Sequence, residues 1–248
     1  MRIVVIGGTG LIGSQVVKLL GEHGHDAVPA SPNSGVNTVT GEGVREVLAG
    51  ADVLVDVSNS PSFADDDVLA FFTTATTNLT EAAAEAGVGH YVALSIVGTD
   101  ELPESGYLRA KVAQEKLIRE SGLTYSIVRA TQFFEFAGAI ANSATADGVV
   151  RLPHGGVQPI AASDVAAVVA RVAASEPVGG VLEIGGPEEL TMDGWVRAVL
   201  AQRKDEREVV GDPEAQYFGT LLTGKQLVPN EGAQLQPTSL EDWFAAGN

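Results

Sequence analysis

The 248-residue chain has no cysteine. That excludes a disulfide framework, a thiol nucleophile and a thiolate metal site. Basic residues are also scarce, with 15 Lys and Arg against 32 Asp and Glu, a formal net charge of −17. A surface this acidic repels phosphate backbones and anionic bilayers, so neither nucleic acid nor membrane is expected as a partner. An anionic cofactor is not excluded, because helix N-termini and backbone N–H groups hold anions locally. No apolar run approaches the ~18–20 residues that span a bilayer. The opening MRIVVIGGTG breaks its apolar run at Gly7, too soon for a signal-peptide core, which points to a cytoplasmic protein. The histidines at 23, 25, 90 and 154 lack ligand spacing and read as surface residues, so no metal is expected. Repeats, low-complexity tracts and long linkers are absent too.

The apolar residues that are present alternate between two patterns. RIVVIGG (2–8), DAVPAS (26–31), ADVLVDVSN (51–59), HYVALSIVG (90–98) and LTYSIVRA (123–130) read as short buried strands. Helical stretches separate them at 11–24, 41–50, 64–87 and from about 106 to Ser121–Gly122. Asp65, Asp66 and Asp67 fall in the first turn of the long 64–87 helix, where the helix dipole favours them. Strands alternating with helices imply right-handed crossovers and an α/β fold with a doubly wound parallel sheet. Beyond Thr131 the pattern loosens. QPIAASDVAAVVARVAA (158–174) contains a helix with Ser163 or Asp164 as its cap, GGVLEIGG (179–186) reads as one more strand, and TSLEDWF (238–244) opens on a capping box of Thr238 and Glu241. We therefore expect a core over 1–130, its sheet completed by about 157–185, and a small C-terminal substrate lobe from 131–156 and 186–248.

GGTGLIG (7–13) holds Gly8-x-Gly10-x-x-Gly13 between the first strand and the first helix. That position gives the pattern its meaning. A tight turn, a close approach of backbone to a pyrophosphate and a close helix–strand contact each need a residue without a side chain. Gly7, Gly8, Thr9, Gly10, Leu11, Ile12 and Gly13 are thus candidate cofactor-binding residues. The second strand ends in Ala30-Ser31-Pro32-Asn33-Ser34, with no carboxylate to bind a 2′-hydroxyl or to repel a 2′-phosphate. Ser31, Asn33 and Ser34 can donate hydrogen bonds there. This favours NADP and leaves NAD possible, since no arginine is near.

SGYLRAKVAQEKLI (105–118) places Tyr107 four residues before Lys111 on one helix face. Chance placement would produce such a spacing about 0.1 times in this composition. An ammonium beside a phenol favours the phenolate, so the pair reads as a proton-transfer device with a lowered tyrosine pKa. Ser95 near the end of the preceding strand is the candidate third member. The alternative is two ordinary residues on a helix face.

Together the glycine loop, Asn78 in TTNLTEAA, Ser95 in ALSIVG, Tyr107-x-x-x-Lys111 and YSIVRATQFFEF (125–136) resemble the short-chain dehydrogenase/reductase superfamily. The resemblance is to its atypical, NmrA-like branch of NAD(P)-binding Rossmann-fold oxidoreductases. It implies that Tyr107 is the general acid/base, that Lys111 also binds the nicotinamide ribose, and that Ser95 orients the substrate carbonyl. It further implies that Val57, Ser58 and Asn59 pass near the adenosine and that Ala130 and Thr131 pass near the nicotinamide. Phe133, Phe134 and Phe136 either line an apolar substrate pocket or are core packing. The expected activity is NAD(P)H-dependent hydride transfer to a small carbonyl, enone or quinone-like substrate, in a monomer or homodimer. ALSIVG departs from the branch in having one serine where relatives show a run. Two other readings are a non-catalytic NAD(P)-sensing regulator that binds a protein partner, and a sugar-nucleotide epimerase or dehydratase.

Overall fold

The computed structural model describes residues 1–247; Asn248, the last residue of the expected lobe, lies outside them. In chain order the elements are β1 (Arg2–Ile6), α1 (Gly13–Glu22), β2 (Asp26–Ala30), α2 (Val44–Leu48), β3 (Val53–Asp56), α3 (Asp65–Ala86), β4 (His90–Ile96), α4 (Gly106–Glu120), β5 (Tyr125–Ala130), α5 (Ala137–Ser143), β6 (Thr145–Ala146), β7 (Val149–Leu152), β8 (Gly156–Val157), α6 (Ala162–Ala173), β9 (Gly180–Gly185), β10 (Leu190–Thr191), α7 (Met192–Gln202), β11 (Glu208–Gly211), β12 (Gln216–Tyr217), β13 (Thr220–Leu221), β14 (Gln234–Leu235) and α8 (Leu240–Ala245). A seven-stranded sheet runs β14-β9-β5-β4-β3-β1-β2, with parallel pairing at β1–β2, β1–β3, β3–β4 and β9–β14. The expected doubly wound α/β architecture is the one found.

The chain divides into two compact units, the first formed by Met1–Ser95, Gly106–Arg129 and Val165–Leu182. Its β1, β3 and β4 are buried on both faces, as continuous Val/Ile/Leu runs require. Val4, Ile6, Leu54 and Tyr91 from these strands pack with Leu48 of α2, Leu79 and Ala83 of α3, Ile118 of α4 and Ile127 of β5. A satellite cluster of Val68, Phe72 and Ala110, flanked by Phe71 and Tyr107, joins α3 to α4. Helix α3 begins with Asp65, Asp66 and Asp67 in its first turn and ends at Gly87, whose φ of 70° is the left-handed stop a glycine accepts readily.

The second unit comprises Ile96–Ser105, Ala130–Asp164 and the chain from Glu183 onward. It holds the three-stranded β11-β7-β6 sheet, the β8–β10 pair and the β12–β13 pair. Trp195 on α7, Leu152 on β7 and Phe134 are its largest fully buried side chains. Helix α7 was not foreseen: MDGWVRAVLAQ is helical, with Thr191 accepting from the Gly194 N–H at its start.

Two caps differ from expectation. Helix α8 is capped by Ser239, whose Oγ accepts from the Asp242 N–H at 3.0 Å. Thr238 instead donates its N–H and hydroxyl to Asp164. Helix α6 starts at Ala162, so Ser163 and Asp164 lie inside it, and its first N–H is taken by the Glu135 carboxylate at 3.1–3.2 Å. A side chain distant in sequence does there what a local cap was expected to do. Among the described residues no helix is long and apolar enough to cross a membrane.

Candidate functional site

The glycine loop closes the turn from β1 into α1. The Gly7 and Gly8 N–H groups donate to Ala30 O at 3.0 and 3.3 Å, which ties the loop to the end of β2. Gly7 has φ +77°, and a Cβ there would lie 2.9 Å from Val57 O. At Gly8 a Cβ would lie 2.7 Å from Val5 O and Pro29 Cα, and at Gly13 only 2.1 Å from Gly7 O. At Gly10 the nearest atom is 3.3 Å away, again Gly7 O, to which Gly10 also donates at 2.9 Å. A side chain at Gly8 would therefore strike the backbones of β1 and β2 and distort the loop, and one at Gly13 would force α1 away. Thr9, Gly10 and Leu11 are exposed, while Ile12 is buried and stands before α1 with no side-chain cap. The helix start thus offers backbone N–H groups and a positive dipole end to an anion.

At the end of β2, Ser31 is 6% exposed and its Oγ has no partner among the described residues. A buried hydroxyl without a partner costs free energy that a ligand oxygen would recover. Ser34 fixes the turn, accepting from Ser31 N and donating to Ser31 O, both at 2.9 Å, and Asn33 is exposed. The residues therefore fit a dinucleotide: a cradle free of side chains, a helix N-terminus and an orphaned hydroxyl one strand away.

At the end of β3, Val57 N continues the ladder to Ile6 O, and Ser58 donates its N–H and Oγ to Asp56 at 3.0 and 2.6 Å. Asn59 is exposed, and its Oδ1 accepts the Tyr107 hydroxyl at 2.9 Å. Two predicted residues from different elements thus meet. Tyr107 also packs against Phe63 and, edge-on, against Phe72. Burial pushes its hydroxyl up to about 12, with the Asn59 amide opposing. The expected lowering by Lys111 is not seen, because the ammonium is directed elsewhere. Lys111 is 3% exposed; its Nζ donates to Leu94 O at 2.9 Å and to Gln114 Oε1, and stands 4.4 Å from the centre of the Phe72 ring. Burial pushes Lys111 down to about 8, against the opposing charges of Asp56 and Glu115.

Ser95 is 3% exposed, and its hydroxyl donates to Glu115 Oε1 at 2.6 Å. Glu115 also binds Arg129 through both oxygens and Arg119 through one. The structure thus commits Ser95 to a buried ionic cluster on the α4 side of β4, not to the tyrosine. Asn78 donates to Thr38 O and Val39 O, anchoring the loop that follows β2 to α3. His90, expected at the surface, is buried against Ser126 Oγ at 2.8 Å.

In the second unit, Ala130 is buried and the Thr131 hydroxyl donates to Gln158 O at 2.6 Å. Phe134 is 1% exposed and packs on Trp243, so it is a core residue and not a pocket wall. Phe133 is half-buried and stacked on Phe136, which is 44% exposed. Sequence reasoning missed Asp56, Gln114 and Glu115. Gln114 and Glu115 follow Lys111 by one helical turn, and that spacing was the available signal.

The family model described as NAD(P)H-binding matches residues 7–176, which include the loop, Ser31, Tyr107 and Lys111. The chain belongs to that family. It is accordingly a member of the atypical short-chain dehydrogenase/reductase superfamily. It is 31% identical over 207 residues to a (4-alkanoyl-5-oxo-2,5-dihydrofuran-3-yl)methyl phosphate reductase of Streptomyces griseus subsp. griseus, covering 76% of this chain and 69% of that protein. It is 25% identical over 149 residues to the photosystem II assembly factor Ycf39 of Synechocystis sp., covering 54% of this chain and 46% of that one. Among solved structures, MoeE5 in complex with UDP-glucose and NAD superposes with a TM-score of 0.74 at 19% identity, over 99% of this chain and 96% of that one; the likeness is one of fold.

Proposed function

We propose that this NAD(P)H-binding protein is a reductase that uses NADPH in preference to NADH, on a small carbonyl, enone or quinone-like substrate. The observation that carries the reading is the side-chain-free cradle at Gly8 and Gly13 in the same unit as a tyrosine and lysine on one helix face. The bound dinucleotide would supply hydride. The glycine loop and the start of α1 would hold its pyrophosphate, and Ser31 would meet its 2′-phosphate. Tyr107 keeps its proton at neutral pH, the form a general acid needs, although a hydroxyl at about 12 gives it up reluctantly. Lys111 would meet the nicotinamide ribose. The reductase relative supports the activity class.

The test is a fluorescence titration with NADPH and NADH, followed by NADPH oxidation over a panel of carbonyls, enones and quinones. NADPH should bind more tightly, and Ser31→Asp should move the preference towards NADH by placing a carboxylate where the phosphate belongs. An unchanged preference in Ser31→Asp removes the NADP assignment. A second reading, a non-catalytic protein that binds NAD(P) and docks a protein partner, is favoured by the likeness to an assembly factor. Tight NADPH binding with no turnover on any class of the panel would select it.

A further inference from the structure

We propose that Gln114, locked in place by Asp56, is the positioning residue that holds the Lys111 ammonium inside the fold. The inference rests on the reading of Lys111 as the residue that meets the cofactor. Gln114 is 1% exposed and Asp56 2%, so neither has water as an alternative partner. The Gln114 Nε2 donates to Asp56 Oδ2 at 3.0 Å, and its Oε1 accepts from Lys111 Nζ. An amide has a donor end and an acceptor end. Turned over, it would set its N–H groups against the ammonium and its oxygen against the carboxylate, two mismatches in a dry site. Asp56 thereby fixes which end of Gln114 faces Lys111.

Asp56 is itself immobilised. It accepts from Ser58 N and Ser58 Oγ on one oxygen and from Tyr91 OH, at 3.2 Å, on the other. A chain of hydrogen bonds therefore runs from β3 through α4 to the ammonium. Lysine has three N–H donors. Leu94 O and Gln114 Oε1 take one each, so this arrangement fixes the direction left for the remaining donor. The groups facing Lys111 are Asp56 from β3, Glu115 from its own helix, Leu94 O from β4 and the uncharged Phe72 ring from α3. Glu115 is occupied by Ser95, Arg119 and Arg129, so the Asp56–Gln114 path is the side-chain route to Nζ, beside the backbone acceptor Leu94 O.

The test follows the lysine and not turnover. The chain has five lysines, so protein labelled with ¹³C at lysine Cε gives a resolvable set of signals, and Lys111→Arg identifies the one of interest. In the wild type the Lys111 signal should titrate near 8, well apart from the others. Gln114→Leu removes the acceptor and should lower that midpoint by about one pH unit or more. Asp56→Asn keeps an oxygen facing the Gln114 amide while removing the charge, and should lower it as well. Circular dichroism checks folding, and if Gln114→Leu does not fold then Gln114→Met, which keeps the length of the side chain but lacks the amide acceptor, decides in its place. The pH at which NADPH affinity falls should move down with the Lys111 midpoint. Midpoints and affinity profiles that superpose on the wild type's overturn the proposal. A Lys111→Met variant separates the two ideas. If it binds NADPH as tightly as wild type while Gln114→Leu still moves the midpoint, the cofactor role of Lys111 fails and the positioning role of Gln114 stands.

Discussion

At the scale of single residues, Tyr107 and Lys111 are each burdened by burial, in opposite senses. Tyr107 is held protonated, so Tyr107→Phe should leave NADPH binding nearly intact and lower turnover by about 10²–10⁴-fold, measured as NADPH oxidation at saturating substrate. Full turnover in the variant would remove the acid role. For Lys111 the folded value of about 8 lies below the ordinary 10.5, so between those limits the unfolded chain binds the extra proton. Stability must then rise with pH across that window, and the gain is lost as pH falls through about 8. The shift corresponds to about 3 kcal/mol. Urea unfolding at pH 7.5 and 10 should show wild type gaining most of that amount relative to Lys111→Met; parallel behaviour would mean that the ammonium is not desolvated as the structure has it. Tyr107 and Lys111 were legible in the sequence because i, i+4 spacing is local information. The destination of the Ser95 hydroxyl was not, because it depends on Glu115 in the next helix and on Arg129 in the strand after it. Asp56 and Gln114 stayed hidden for the same reason, since each is unremarkable alone and acquires meaning only through a partner 58 positions away.

At the scale of elements, the β1–α1 turn was readable because its demand is steric and short-range, whereas the caps of α6 and α8 were not. Glu135 reaches Ala162 across 27 positions and takes the place of a local cap at α6, while at α8 Thr238 is drawn off to Asp164 across 74 and the cap passes to its neighbour Ser239. Helix α7 was missed although Thr191 and the buried face of Met192, Trp195, Val196 and Val199 follow the rules for a capped amphipathic helix. Gly194 inside it diluted the signal, yet its N–H is what Thr191 caps. The glycines of α1 permit a paired test. At Gly13 a methyl would meet Gly7 O at 2.1 Å, while at Gly21 nothing lies within 4 Å. Gly13→Ala should lose about 1–3 kcal/mol and most NADPH affinity. Gly21→Ala should gain about 0.5–1 kcal/mol with binding unchanged, because it only rigidifies the helix. Equal NADPH affinity in the two variants would mean that the cradle does not hold the cofactor.

At the scale of the whole molecule, the net charge of −17 opposes the ligand that the glycine loop is shaped to receive. The long-range field repels an anionic dinucleotide during approach, and the attraction from backbone N–H groups acts only within the last few ångströms. Salt screens the first over about 10 Å at 0.1 M and leaves the second largely untouched. The NADPH association rate should therefore rise as salt is increased from about 0.02 to 0.2 M, the reverse of a basic phosphate-binding surface. NADPH carries about two more negative charges than NADH, on the 2′-phosphate, so its rate should climb more steeply. Dissociation, for which the proposal makes Ser31, the loop and Lys111 responsible, should change less. Stopped-flow fluorescence at several salt concentrations separates the two rates. If association slows with salt for both nucleotides, a positive local field outweighs the acidic surface at the range where encounter is decided, and the cofactor is guided in by side chains, not by the α1 terminus alone. If the slopes for NADPH and NADH coincide, the extra phosphate is not presented to the acidic surface on entry, and the argument for its seat at Ser31 weakens with it.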